Sequence, residues 1–358
     1  MKKKILFSLT SQFGYHTDTY MYCKYLDKTK YEVHYVGFDS GYIRRDIEGV
    51  HVHYISLNDN KIKRYWIYLT QINKLIRKEN FDVVFQVDHK LTLLVRLCNL
   101  QRRFILDIRT GNLNKNRLIR LYYNLYIYFT SLFYKRVTVI SESLLKLLKL
   151  SKQKTTLIPL GAESKNYDDK SWENLYLFYI GTLDLRRIYE TITGVSIFSK
   201  RHPEINISYD IIGTGKDSEV KKIKQTIVKY SLEKNVILHG RKNHDEIISI
   251  WEHANIGVVY IPITPYYNCQ PSTKLYECLL AGMPVIATNT FENRREIGFS
   301  EGVLIQDNDQ SFADGLEEIM KNKDIYNSTL IKEKFKSSTW QHIVIFKLQP
   351  LLDVLLKQ

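Results

Sequence analysis

The sequence predicts an α/β protein of two doubly wound, Rossmann-like domains that face each other across a cleft. Its 358 residues exceed the length at which a single hydrophobic core usually stops growing. Short apolar runs alternate with longer segments of helical periodicity, a pattern typical of right-handed βαβ units and a parallel sheet. The alternation restarts after a polar stretch at 166–174. We therefore predict an N-terminal domain at 1–165, a C-terminal domain at 166–338, and a helix at 339–358 that packs back towards the first domain.

The individual elements follow this alternation. Strands are expected at 5–9, 32–37, 51–54, 83–86, 104–108, 137–140, 156–158, 176–180, 205–212, 236–239, 256–260, 284–287 and 302–305. Helices are expected at 66–78, 91–99, 116–135, 188–200, 219–230, 245–252, 274–281, 311–321 and 340–355. No apolar run reaches the roughly 18–20 residues of a membrane span, and the first one is too short for a signal peptide.

The composition excludes several classes of protein. With 44% hydrophobic and 25% charged residues, the chain can bury a full core and is not of the disordered type. Its four cysteines form no CxxC pair, so neither a disulfide framework nor a zinc site is expected. A reducing cytoplasm is therefore the expected compartment.

The net charge of +14 is concentrated in the first part of the chain. Residues 1–136 hold 24 Lys and Arg against 11 Asp and Glu, whereas the remaining residues hold 28 against 27. Such an excess favours contact with nucleic acid, an anionic membrane face or a phosphorylated substrate. Solubility alone is the alternative explanation.

A glycine turn followed by two arginines is the first candidate for a binding site. Gly181 and Thr182 follow the strand expected at 176–180, and a glycine there lets backbone N–H groups approach a phosphate. Arg186 and Arg187 come just before the next helix and could neutralise a diphosphate. An ordinary strand-to-helix turn with solvated arginines is the alternative.

Two weaker glycine motifs follow in the same half. Gly213 and Gly215 form a lone GxG after a strand, without the third glycine of a dinucleotide fingerprint. His239, Gly240 and Arg241 end the next strand, where backbone groups could meet a nucleotide base. Each motif is also compatible with a purely structural turn.

The segment at 271–287 is the strongest motif. Ser272 or Thr273 is expected to cap a helix whose Lys274 and Glu277, three residues apart, share one face. A helix N-terminus, small hydroxyls and a lysine together suit a diphosphate, and the glutamate suits ribose hydroxyls. An ordinary capped helix with an ion pair is the alternative.

These motifs, taken in order, resemble the GT-B-fold glycosyltransferases, specifically the retaining family 4 group of bacterial capsule and exopolysaccharide pathways. The resemblance covers nearly the whole chain. It is carried by VTVISE at 137–142, IPLGA at 158–162, YIGTL at 179–183, IGTG at 212–215, NV at 235–236, HG at 239–240 and STKLYECLLAGMPVIA at 272–287.

The resemblance implies roles for particular residues. Lys274 and Arg187, or Arg186, would match the family's basic pair on the donor diphosphate. Glu277 would match the second glutamate of its E-x7-E motif and contact the ribose, and Glu296 matches a glutamate that often follows the next strand. A helix dipole and basic side chains then hold the diphosphate, so no metal or other cofactor is required.

The sequence departs from the family pattern at three places. Cys269 stands where the first glutamate of the E-x7-E motif is often found. Arg109 stands where a histidine often contacts the transferred sugar, and we expect it to make that contact. Gly14 alone remains of a glycine pair that contacts the donor after the first strand. The DxD-like residues 307–309 are expected to cap a helix rather than to bind a metal.

The helix expected at 116–135 is apolar or aromatic around most of its circumference. Such a helix is either buried or lies partly in a lipid interface. Together with the basic charge of this half, it favours peripheral contact with the inner face of the cell membrane and an acceptor glycan on polyprenyl diphosphate.

The expected activity is transfer of a sugar from a UDP- or GDP-sugar to an acceptor hydroxyl in surface polysaccharide synthesis, with the anomeric configuration retained. Two alternatives of the same fold stay open, a nucleotide-sugar epimerase and a partner protein that binds the donor without transferring it. A nucleic-acid binder would explain the charge but not the segment at 272–287, so no nucleic-acid partner is expected.

Overall fold

In the computed structural model the chain divides into two compact units. The first comprises Met1–Leu160 and Trp340–Gln358, and the second comprises Gly161–Thr339. The structure describes residues 2–164, 170–242 and 245–357. The linker predicted at 166–174 therefore begins outside the described residues.

The first unit contains a seven-stranded parallel sheet in the order β3-β2-β1-β4-β5-β6-β7. Its strands are β1 Lys3–Ser8, β2 Tyr31–Asp39, β3 Val50–Ser56, β4 Val83–Val87, β5 Phe104–Ile108, β6 Arg136–Val139 and β7 Thr155–Leu157. Its first five helices are α1 Thr17–Tyr25, α2 Lys61–Glu79, α3 Thr92–Leu97, α4 Arg117–Leu132 and α5 Glu142–Leu147. The strand order reverses between β1 and β4, and in open parallel sheets ligands bind beside such a reversal, at the carboxyl ends of the strands.

The second unit contains a six-stranded parallel sheet in the order β10-β9-β8-β11-β12-β13. Its strands are β8 Leu175–Ile180, β9 Ile207–Ile212, β10 Val236–Gly240, β11 Ile256–Val259, β12 Val285–Thr288 and β13 Gly302–Ile305. Its helices are α6 Ile188–Arg201, α7 Asp217–Lys229, α8 Ile248–His253, α9 Thr273–Leu280, α10 Phe291–Glu296, α11 Asp309–Lys321 and α12 Ser328–Phe335. Here the order reverses between β8 and β11. The predicted fold class, α/β with two Rossmann-like sheets, is confirmed.

The end of the chain returns to the first unit as one nearly continuous helical segment. It consists of α13 Trp340–Ile343, a π-helical turn at Val344–Leu348 and α14 Gln349–Lys357. The wide turn precedes Pro350, which lacks an N–H and whose ring would collide with the carbonyl group four residues earlier in a regular α-helix. The Trp340 ring packs edge-on against Tyr22 of α1, and the Asp27 N–H donates to the Gln349 side chain over 2.9 Å.

Helix α4 exposes the apolar side that the sequence left unassigned. Its buried residues include Thr130 and Ser131, whereas Leu118 and Tyr122 are 75% and 67% exposed. The other large apolar side chains exposed along it are Ile119, Leu121, Leu125, Phe129 and Leu132. The fully buried alternative for this helix is therefore wrong. In the described part of the chain, no helix is both long enough and apolar enough to cross a membrane.

Candidate active site

The carboxyl ends of β8, β9 and β10 lead into three glycine turns that are bonded to one another. Gly181 N–H donates to the Ile212 carbonyl and Gly213 N–H to the Gly240 carbonyl, each over 2.9 Å. A methyl group at Gly213 would lie 1.8 Å from the Gly181 carbonyl oxygen, so only glycine permits this approach. Backbone groups are thereby concentrated at the carboxyl edge of the sheet.

Side chains around these turns hold their shape. A methyl group at Gly215 would lie 2.9 Å from Asp184 Oδ1, which accepts a 2.7 Å hydrogen bond from the Lys216 N–H. The Thr182 carbonyl accepts a 2.6 Å hydrogen bond from the Tyr179 hydroxyl. The polar groups beside Gly215 and Thr182 are thus already hydrogen-bonded within the protein.

Lys274 crosses from α9 to the first glycine turn. A methyl group at Gly181, where φ is +142°, would come within 2.3 Å of Lys274 Cε, so the lysine lies directly on the turn. Its Nζ lies 4.9 Å from the centre of the Tyr179 ring. Burial, followed by the positive charge of Arg186, lowers the pKa of Lys274 to about 7, although the Glu277 carboxylate acts in the opposite direction. Lys274, Glu277 and the Gly181 turn therefore form one cluster, beside the place where the strand order reverses between β8 and β11.

Arg186 supplies an unoccupied guanidinium to the same cluster. Its Nε and Nη1 atoms are buried and have no hydrogen-bond partner among the described residues. The guanidinium carbon lies 4.4 Å from the centre of the Tyr267 ring. Buried donors without partners are rare because they lose their hydration, so these two nitrogens require an explanation.

Arg187 does not have the surroundings expected of a diphosphate ligand. It adopts a left-handed backbone conformation with φ of +54° at the start of α6. Its Nη2 lies 2.5 Å from Asp307 Oδ2 and its Nε lies 3.3 Å from Glu190 Oε2. Two carboxylates therefore lie within ion-pair distance of Arg187, although its buried Nε makes no hydrogen bond among the described residues.

The start of α9 differs in one respect from the expectation. Ser272 occupies the N-cap position and is 7% exposed, but its side chain makes no capping hydrogen bond. Thr273 is the first helical residue, so the predicted hydroxyl cap is absent. The N–H groups of this helix end, which carry partial positive charge, are left without that intramolecular acceptor.

Four further predicted residues have different surroundings from one another. His239 Nε2 lies 2.5 Å from Asp210 Oδ1 on the neighbouring strand, so its side chain is engaged within the sheet. Gly240 has φ of +72° and open space around its α-carbon, and the Arg241 side chain is exposed. Burial is the main cause that raises the pKa of Glu296, which also hydrogen-bonds Tyr276 of α9.

Arg109, in the first unit, has an environment unlike that of a sugar contact. Its side chain is 8% exposed, and Nη2 lies 2.5 Å from Asp18 Oδ2. Nη1 donates to the Tyr22 hydroxyl over 2.9 Å and to the Ile158 carbonyl over 3.1 Å. Arg109 therefore joins the ends of α1 and β7 through a buried ion pair. Gly14 lies in the same unit with φ of +89°, packed against the Arg45 side chain.

Several residues that sequence spacing did not connect with this cluster lie beside it in the second unit. The Tyr267 ring packs against the Arg186 guanidinium. Asp307, which lies 120 residues further along the chain, accepts a hydrogen bond from Arg187. Glu292 of α10 is 5% exposed, and its Oε1 has no hydrogen-bond partner among the described residues. Burial, followed by the charge of Glu292, raises the pKa of the Cys269 thiol. These residues become neighbours only through the fold, so sequence spacing could not identify them.

The residues at 307–309 form a helix cap, as predicted. Asn308 is the N-cap of α11, and its side chain accepts a 2.8 Å hydrogen bond from the Ser311 N–H. Among the described residues, one group has ligand atoms close enough for a metal ion, namely Glu32, His34 and His51 on β2 and β3. The same Glu32 oxygen lies 3.4 Å from Lys4 Nζ, which already balances its charge.

The two sheets and the cluster beside the β8/β11 reversal define a protein of the GT-B class. Three solved structures of similar fold support this class. The sucrose-phosphate synthase of Thermosynechococcus elongatus has a TM-score of 0.77 and 13% identity over 100% of both chains. Anabaena HepE in complex with UDP and glucose has a TM-score of 0.73 and 12% identity, covering 99% of this chain and 100% of that one. A glycosyltransferase from Rickettsia africae has a TM-score of 0.72 and 14% identity, covering 99% and 98%.

Two family models match the sequence itself. The model described as glycosyl transferase 4-like matches residues 4–143, and the model described as glycosyl transferases group 1 matches residues 163–336. The two matched regions together cover most of the chain and identify it as a glycosyltransferase. No curated protein sequence matches the chain.

Proposed function

We propose that this glycosyltransferase takes its sugar from a nucleoside-diphosphate donor held by the second unit, and transfers it to the hydroxyl of a glycan acceptor with retention of configuration. The observation that carries the donor assignment is Arg186, whose Nε and Nη1 are buried without a partner beside Lys274. A diphosphate would satisfy both groups at once. Arginine is suited to this because its planar guanidinium binds two phosphate oxygens together.

The same groups explain how the leaving diphosphate is stabilised. Negative charge develops on the phosphate oxygen as the glycosidic bond breaks. Arg186, Lys274 and the N–H groups that start α9 at Ser272 are already positioned by the fold, so they need little reorganisation as that charge appears. By resemblance to retaining relatives, the departing phosphate oxygen takes the proton of the acceptor hydroxyl.

The remaining donor contacts are assigned from the surroundings of each residue. Glu277 lies on the Lys274 side of α9 and accepts hydrogen bonds from ribose hydroxyls. Gly240 and Arg241 meet the base, where open space surrounds the glycine. Glu292 offers a carboxylate near Cys269, the position at which the family's first motif glutamate is missing, and we assign it to a hydroxyl of the donor sugar.

The nucleotide is UDP or GDP. Five of the similar structures are described as complexes with UDP or UDP-glucose, three of them of Anabaena HepE, which favours UDP for this chain. The residues around Gly240 leave the choice of base open to experiment.

We assign the first unit a polyprenyl-diphosphate-linked acceptor at the inner face of the cell membrane, and two features of its surface support this assignment. Helix α4 presents a row of exposed apolar side chains to the surroundings. A second exposed group contains Ile43, Ile62 and Trp66 beside the exposed Arg44 and Lys63. Each basic residue close to an anionic surface contributes about 1 kcal/mol to binding.

A thermal-shift screen with UDP, GDP, ADP and TDP tests the donor assignment. A nucleotide at 100 times its dissociation constant should stabilise the wild type by about 2.7 kcal/mol. Lys274→Ala and Glu277→Ala should each abolish this stabilisation. Lys224→Ala and Glu233→Ala remove the same charges at exposed positions of the second unit and should retain it. Undiminished stabilisation in both site variants would refute the assignment.

A further inference from the structure

Four side chains able to bind a metal ion lie on one face of β2 and of the outer strand β3 in the first unit. Glu32 and His34 alternate along β2, and His51 and His53 alternate along β3. In the parallel register His34 lies opposite His51, and His53 lies opposite Val36. Because side chains at alternate positions point to the same face of a strand, all four project from one face of the sheet. None of them belongs to the donor cluster described above.

The ligand atoms of three of these residues, Glu32, His34 and His51, all lie within 4.8 Å of one another. His34 Nε2 lies 2.9 Å from Glu32 Oε1, and the His34 and His51 rings stack with their centres 4.7 Å apart. Zinc bonds of about 2.0–2.2 Å place tetrahedral ligands about 3.3–3.6 Å apart. A movement of about 1 Å therefore closes the set around an ion, and the exposed His51 side chain can supply it.

His53 orients the buried imidazole of His34, because its Nε2 lies 3.0 Å from His34 Nδ1. A neutral imidazole carries a single N–H. When this hydrogen is on Nδ1 and is donated to His53, the lone pair of His34 Nε2 faces the Glu32 carboxylate. Two acceptors then face each other, and a metal ion between them takes the place of the proton that they otherwise share.

Lys4 is the cation that competes for Glu32, but it has a second carboxylate partner. Its Nζ lies 3.4 Å from Glu32 Oε1 and 3.3 Å from Glu79 Oε2. The Lys4 side chain is 32% exposed, so water also solvates its ammonium group. Glu79 and water therefore continue to balance Lys4 when the Glu32 carboxylate turns to a metal ion.

The donor set of two imidazoles and one carboxylate determines the class of metal ion. Mg²⁺ and Ca²⁺ prefer oxygen ligands, whereas imidazole suits transition metals such as zinc. Zinc is held by sets of this kind with a solvent molecule as the fourth ligand, and the exposed side of His51 admits one. Cysteine spacing predicts no zinc site in this chain, whereas strand pairing brings these ligands together.

We propose that Glu32, His34 and His51 bind a zinc ion that ties the outer strand β3 to β2, with His53 as the residue that positions His34. The ligands lie in the amino-terminal halves of both strands, whereas substrates of such sheets bind at the carboxyl ends. The ion is therefore structural, and the proposal is independent of the donor and acceptor assignments.

Titration calorimetry of the EDTA-treated and dialysed protein with zinc chloride tests the proposal. The wild type should bind one zinc ion per chain at this site. His51→Ala and Glu32→Gln each remove a ligand and should weaken that binding at least about a hundredfold, since loss of a group that only orients a ligand already costs about 10–100-fold. His53→Ala should weaken it about tenfold. His342→Ala removes a half-buried histidine of the same unit outside the cluster and should leave the affinity unchanged.

Cobalt(II) accepts the same ligands and makes their arrangement visible. One equivalent should give the wild type the visible absorption of a four-coordinate ion, and His51→Ala should lack it. Zinc should raise the melting temperature of the wild type but not that of Glu32→Gln, whose amide oxygen still accepts a hydrogen bond from His34. Absence of a bound equivalent, or an equivalent that either variant binds as tightly as the wild type, overturns the proposal and leaves the cluster as a hydrogen-bonded support of His34.

Discussion

Lys274 should take up a proton when the protein binds a nucleoside-diphosphate sugar. Burial and the Arg186 charge lower the pKa of Lys274 from 10.5 to about 7. A bound diphosphate places negative charge beside Nζ and favours the ammonium form, so the pKa rises on binding. A group with a pKa of 7 is about one-tenth protonated at pH 8, so binding there should take up about 0.9 proton, against about 0.1 at pH 6. Affinity should accordingly fall about tenfold for each pH unit above 7, or about 1.4 kcal/mol.

Titration calorimetry in HEPES and in Tris measures this uptake, because the two buffers differ in ionisation enthalpy and neither is a phosphate that competes for the site. The ligand should be a nucleotide-sugar, such as UDP-glucose, whose diphosphate has no group that titrates near neutrality. Lys274→Arg stays charged throughout this range, so its binding should be independent of pH and should take up no proton. Equal heats in both buffers for the wild type at pH 8, or the same uptake in Lys274→Arg, would refute the assignment of Lys274 to the diphosphate.

Three other predictions separate binding from structure. Arg186→Met should abolish the nucleotide-induced thermal shift with little change in the melting temperature of the free protein. Arg187→Met should lower that melting temperature and retain the shift. The reverse pattern would assign the diphosphate to Arg187 instead. Arg109→Met leaves buried carboxylates unpaired and should cost about 3–5 kcal/mol in urea unfolding, while a change below about 1 kcal/mol would show that Arg109 is not a structural residue. Replacement of Leu121 and Phe129 by glutamate should reduce cosedimentation with phosphatidylserine-containing vesicles without changing the melting temperature, and unchanged cosedimentation would remove α4 from the membrane surface.

The strands were predictable because each one is a short apolar run between turn residues. Parallel strands buried on both faces need such runs, and β12 Val285–Thr288 between Pro284 and Asn289 is typical. Several short helices were not predicted, among them α1, α5, α10 and α12. In α1, aromatic, polar and charged residues follow one another without an apolar stripe, although Tyr22 and Cys23 are fully buried. Tertiary packing rather than local periodicity determines that helix.

The motifs of the proposed donor site were recognisable in the sequence, but the contacts among their residues were not. The sequence contained Gly181, Lys274 and Glu277 in recognisable surroundings, since the turn chemistry and helix spacing are local. It could not distinguish Arg186 from Arg187, because their separation depends on a left-handed backbone at the second arginine and on Asp307 far along the chain. The exposed face of α4 could not be predicted either. A helix that is apolar around most of its circumference does not show which of its sides packs against the rest of the protein.

The return of Trp340–Gln358 to the first unit has a consequence for the order in which the chain folds during synthesis. The second unit is one continuous segment and is complete when Thr339 leaves the ribosome. The first unit still lacks α13 and α14 at that point, so the surface around Tyr22 that receives Trp340 stays open to solvent. Domains generally mature from the N-terminus onwards during translation. In this protein the segment made first is the last to be finished, because its core closes only when Trp340 packs against Tyr22.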